Sequence, residues 1–68
     1  MSNTIKIGST YSCRTENGKE IILEVTGLTR PGLWRVAVFK SDYIISQYDE
    51  HEETILDNLR LDIYRKVK

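Results

Sequence analysis

The sequence predicts a mainly β fold: a small antiparallel barrel of about five short strands, with one short helix near residues 52–58. Three observations predict it. Turn signals cut the first forty residues into short lengths, and side chains between those turns alternate with a period of two. The composition then changes abruptly at Asp49-Glu50-His51-Glu52-Glu53. Alternation is the signature of a pleated strand, whose successive side chains point to opposite faces.

Asn17-Gly18 is the strongest turn signal. Both residues tolerate positive φ, which a two-residue type I′ hairpin requires. It separates Thr10-Tyr11-Ser12-Cys13-Arg14 from a long β-prone run, Glu20 to Leu28, in which Gly27 lets the strand bend or end. Arg30-Pro31-Gly32-Leu33 follows, with proline presetting φ and glycine supplying a positive one, a type II pattern. Lys40-Ser41-Asp42 is a weaker polar break. Ile21, Leu23 and Val25 share one face of their strand, as do Trp34, Val36 and Val38 of the next. Arg35, Ala37 and Phe39 share the opposite face, and Tyr43, Ile45 and Gln47 alternate with Ile44, Ser46 and Tyr48. Neither face of the Trp34 strand is fully polar, which suits a curled sheet covered in part on both sides. Trp34 is assigned to the core.

Acidic residues favour a helix N-terminus, because they meet the positive end of its dipole. Ile55, Leu56 and Leu59 follow the acidic stretch at helical spacing, and Asn58 is placed as the C-terminal stop. Leu59, Leu61 and Ile63 then alternate with Arg60, Asp62 and Tyr64, a final strand running into Arg65-Lys66-Val67-Lys68. A continuous helix from Glu52 to Lys66 competes with this reading, since it would align Ile55, Leu59 and Ile63. Fraying is expected at Met1 to Thr4 and at the last residues.

The layout resembles that of the small SH3-like barrels, which use about five short strands and a single helical turn before the last. It also resembles compact single-domain proteins encoded by phages and prophages. The resemblance is one of pattern and covers most of the chain. It implies a binding module, since SH3-like barrels mostly bind peptides, proteins or nucleic acids. The acidic and aromatic motifs of peptide-binding SH3 domains are not matched here, so no binding residue is carried over.

Sixty-eight residues suit a single domain, residues 1–68. A domain of this size buries roughly 60% of its unfolded surface, and a core of that size supplies about 3–5 kcal/mol. A deep substrate pocket would consume that core, which favours binding at a surface. The formal net charge is zero, and a dedicated nucleic-acid binder is usually basic. The zero conceals a division. Residues 1–40 hold six cationic and three acidic side chains, a net +3; residues 41–68 hold four and seven, a net −3. Cys13 is the one cysteine, which excludes an intramolecular disulfide and points to a reducing cytoplasm. Met1-Ser2-Asn3-Thr4 lacks the basic and apolar regions of a signal peptide, and no apolar run approaches the ~20 residues that span a bilayer. The expectation is a cytoplasmic protein with no membrane contact.

No catalytic residue, metal ligand set or cofactor is expected. Metal binding needs several converging ligands, and the chain has one cysteine and one histidine far apart in sequence. His51 among Asp49, Glu50, Glu52 and Glu53 reads as a solvated acidic turn. Cys13 and Arg14, adjacent on a strand, point to opposite faces, so the thiol reads as inert. No glycine-rich phosphate loop is present.

Two functions remain. The first is a non-enzymatic protein–protein interaction module, of the kind a phage or prophage encodes to bind and modulate a host protein. Tyr43, Tyr48 and Tyr64 would anchor the contact, and Asp49, Glu50, Glu52 and Glu53 would steer a basic partner. A homodimer through an edge strand fits the same reading. The alternative is a nucleic-acid-binding barrel using Arg14, Arg30, Arg35, Lys40, Arg65 and Lys66, with DNA or RNA as ligand.

Overall fold

Strand β1 (Thr10–Arg14) opens the sheet, and the turn signals then set its meander through β2 (Glu20–Arg30), β3 (Leu33–Lys40) and β4 (Tyr43–His51). Helix α1 (Glu52–Arg60) and a short β5 (Tyr64–Lys66) complete it. These elements come from a computed structural model that describes residues 4–67. The fraying expected at Met1 to Asn3 and at Lys68 lies outside the described residues. All five strands form one antiparallel sheet in the order β4-β3-β2-β1-β5.

The turns are where the sequence placed them, with one change of type. Gly32 has φ 82° in the two-residue Pro31-Gly32 connection, and Ser41 has φ 56° between β3 and β4. The β1–β2 turn is longer than a type I′ hairpin. Thr15 N–H donates to Lys19 O and Gly18 N–H to Thr15 O, and Gly18 takes the positive φ (78°) while Asn17 does not. A three-residue loop closed by a glycine bulge needs only one left-handed residue, so Asn17 is spared that strain. Gly27 ends nothing: β2 continues to Arg30, and the ladder to β3 slips between Val25 and Gly27 and again between Leu28 and Arg30. Such bulges increase local twist.

One face of the sheet is the core. Tyr11, Leu23, Val25, Val36, Val38 and Tyr64 are buried there with Ile5 and with Ile55 of α1, which is 1% exposed. Trp34, Tyr48, Leu56 and Leu59 pack around them. The Ile21-Leu23-Val25 and Trp34-Val36-Val38 faces therefore both turn inward. Tyr11 and Tyr64 stack across the β1–β5 pair, ring centroids 6.1 Å apart.

The second half departs from expectation in two places. α1 runs past Asn58 to Arg60, and Asp62 at φ 63° ends it. Ile63 N–H donates to Asn58 O and Asp62 N–H to Leu59 O, the paired bonds of a Schellman cap. Aspartate tolerates the left-handed conformation better than most residues, which suits Asp62 to this place. The cap excludes a continuous helix to Lys66 and consumes Leu59 to Ile63, so the last strand keeps only three residues.

The sheet also stays open. Among the described residues β4 and β5, the strands a closed barrel would join, share no ladder. β5 is too short to span the gap, and α1 packs against both borders. A side chain bridges them instead. Tyr64 Oη on β5 donates to Glu50 Oε1 on β4 at 3.3 Å. A contact between opposite edges requires a strongly curled sheet.

Candidate functional site

The acidic stretch is largely engaged inside the fold. Asp49 Oδ1 accepts from Arg35 Nε at 2.8 Å and from Thr29 Oγ1 at 2.9 Å. These bonds, Thr29 foremost and then Arg35, hold its carboxyl below the usual aspartate value of 3.8. Glu50 accepts from Tyr64, and Glu52 Oε1 accepts from Trp34 Nε1 at 3.1 Å. Trp34 is thus a half-buried core-edge residue with its polar edge satisfied. The stretch is an internal clasp: Glu50 holds β5, Glu52 holds β3, and Asp49 holds two neighbours on the open face. Glu53 and His51 are exposed. Glu52 N–H also donates to Gly32 O at 2.9 Å, seating the start of α1 on the β2–β3 turn.

The three tyrosines do not form one surface. Tyr64 is 9% exposed and Tyr48 half-buried, both on the core face. Burial raises both phenols above the ordinary 10.0, and hydrogen bonding to Tyr48 raises Tyr64 further. Tyr43, 74% exposed, is the one presented to solvent.

The cations are dispersed as well. Arg14 ends β1 and Lys40 ends β3, at one end of the sheet, while Arg30 ends β2 at the other. Arg35 is tied to Asp49, and Arg65 Nη2 lies 3.2 Å from Asp62 Oδ2. Arg14 and Arg65 border a shallow recess of about 440 Å³ beside Cys13, but Glu20 and Asp62 border it too and balance the charge. Among the described residues, no three His, Cys, Asp or Glu side chains gather in a metal-binding group. No helix among them is long and apolar enough to cross a membrane.

Sequence reasoning named Tyr43 at the start of β4 and missed the two residues that follow it. Ile44 and Ile45 are 53% and 55% exposed beside Tyr43, and β4 is a border strand. The ladder to β3 slips between Val38 and Phe39, leaving Ile45 outside the register. On the open face Ile22, Phe39 and Ile44 stand in line across β2, β3 and β4, an apolar row that runs out to the edge. One signal was available: Tyr43-Ile44-Ile45-Ser46-Gln47-Tyr48 is uncharged, rich in β-formers and free of glycine and proline. Alternation put Ile44 and Tyr48 on one face, but the slip at Ile45 sets Ile44 beside Phe39 on the open face and Tyr48 beside Val36 on the core face; nor could alternation reveal that one side of the strand is unpaired.

No protein-family model, curated protein or solved structure matches the chain.

Proposed function

We propose that this chain is a non-enzymatic protein-interaction module that binds its partner along the free edge of β4. The observation that carries this is Tyr43-Ile44-Ile45: three consecutive large side chains, each more than half exposed, on a border strand with no charge before Asp49. An unpaired strand offers a row of backbone donors and acceptors to another strand, and its side chains supply selectivity. Five antiparallel strands with a helix before the last support a relationship to small SH3-like barrels. In that setting the module is of the kind a phage encodes to occupy and modulate a host protein. Tyr43 is the anchor; Tyr48 and Tyr64 act indirectly, by holding the edge strand to the core.

A photo-crosslinking residue in place of Tyr43, with a control in place of Thr54 on α1, tests this in cells. Adducts of defined mass are expected from the β4 position and not from the helix. Equal labelling from both positions, or none from β4, would sink the reading.

A further inference from the structure

We infer that the Asn17-Gly18 step is a modification site: Asn17 loses its side-chain amide through a cyclic imide and becomes chiefly isoaspartate. The reaction needs a backbone nitrogen that can reach the side-chain carbonyl, little bulk on the residue supplying it, and a loop able to turn. Gly18 follows Asn17 and has no Cβ to block the approach. Every residue of 14–20 is exposed. The Asn17 carboxamide makes none of the side-chain hydrogen bonds seen among the described residues, so nothing there holds it away from Gly18. The glycine that the loop requires, at φ 78°, is also what leaves the asparagine open to attack.

The Gly18 nitrogen gives its proton to solvent base and bonds to Asn17 Cγ. The Cγ–Nδ2 bond breaks, and ammonia leaves. Water then opens the five-membered imide. Breaking the Gly18 N–Cγ bond gives aspartate; breaking the bond from that nitrogen to the main-chain carbonyl carbon gives isoaspartate, whose backbone runs on through Cβ and Cγ. Nothing is oxidised or reduced.

The fold sets the pace and confines the damage. Gly18 N–H donates to Thr15 O at 2.9 Å, so the attacking nitrogen is released only when that bond opens. Thr15 N–H to Lys19 O, at 2.8 Å, closes the loop below it. No core residue lies in the loop, so the sheet survives the change. The product carries a new negative charge between Glu16 and Glu20, on a chain whose formal net charge is zero. Asn58 is the internal control, half-buried inside α1 and followed by bulky Leu59. β3 stands between this hairpin and β4, so the chemistry is independent of what the β4 edge binds.

Folded wild-type chain and Asn17→Gln, incubated side by side in mildly alkaline buffer, test the assignment. Intact mass should rise by the difference between an amide and an acid, with a later peak on anion exchange. Labelling by an isoaspartyl methyltransferase and electron-transfer fragmentation should place the isoaspartate at position 17. The rate should climb in proportion to hydroxide, while circular dichroism stays that of the parent. Asn17→Gln should lose the signal, because its longer side chain must close a six-membered imide, which forms far more slowly. Asn58→Gln should keep it. A gain that maps to Asn58, or one that persists in Asn17→Gln, overturns the assignment. So does a folded chain that stays unmodified, and conversion only in urea would show that the bond to Thr15 protects the site.

Discussion

Two strands border this sheet, and they differ in length, charge and cover. β5 has three residues, two of them Arg65 and Lys66, and is held down by Tyr64 beneath Tyr11. β4 has nine, and the first six carry no charge. Side-chain bonds clasp it only near its far end, through Asp49 to Arg35 and Thr29 and through Glu50 to Tyr64. Natural sheets blunt their edges with short strands, cations or bulges. β5 uses the first two, and β4 has only the slip at Ile45. The difference teaches that an edge can be secured at one end by internal bonds while its other end stays available for a partner.

Removing what holds both borders breaks the comparison most severely. Ile55 anchors α1 in the core between them. Ile55→Ala should cost about 2–5 kcal/mol, against roughly 3–5 for the whole domain. Urea denaturation should show the midpoint shifted far toward zero denaturant, and an unmoved midpoint would mean that the helix does not secure the sheet.

Cutting the single bond between the borders is milder. Tyr64→Phe removes the donor to Glu50 and should cost about 1 kcal/mol. β5 amides should exchange faster before those of β3. The same phenols set an alkaline limit. The folded pKa lies above 10.0, so the unfolded chain loses its proton first as pH rises past that value. Stability is therefore complete below 10 and falls as pH climbs toward the folded value. Tyr64→Phe should flatten this limb in denaturation measured against pH.

Acid tests the clasped end of β4. The Asp49 carboxyl is depressed below 3.8, so its contribution is present above that value and is lost as pH falls through the lower folded one. Melting temperatures between about pH 2 and pH 5 should converge for wild type and Asp49→Asn as pH drops. A constant gap would mean that Thr29 and Arg35 do not favour the ionised form.

The smallest effect on stability sharpens the comparison most. Arg65→Ile replaces a guard on β5 and should change folding free energy by only about 0.5 kcal/mol. Light scattering should nevertheless reveal larger assemblies than the wild-type chain forms, since both edges would then accept strands. A variant that scatters like the wild type would show that strand length alone protects β5.

The strands were legible because alternation is a local property. Ile21-Leu23-Val25 and Trp34-Val36-Val38 announced a buried face, and Pro31-Gly32 and Lys40-Ser41-Asp42 announced their turns. The helix was legible from its acidic start and from the spacing of Ile55, Leu56 and Leu59, but its end was not. Asn58 and Asp62 both accept a stop, and the cap forms where Leu59 can still reach the core. The candidate binding residues were the least legible. Tyr48 and Tyr64 resemble Tyr43 in sequence, and only the curl of the sheet turns two of them inward. Asp49, Glu50 and Glu52 read as free charge because their partners, Arg35, Tyr64 and Trp34, lie 14 to 18 positions away.

The sequence by itself determined the strands, their inward faces, the turn positions and the start of the helix, since each depends on residues within a few positions of one another. The tertiary structure alone decided which strands border the sheet, that the sheet stays open around α1, and which charges and tyrosines remain for a partner. Those outcomes depend on what stands beside a residue in space, and nothing in a local period records a neighbour from the far side of the chain.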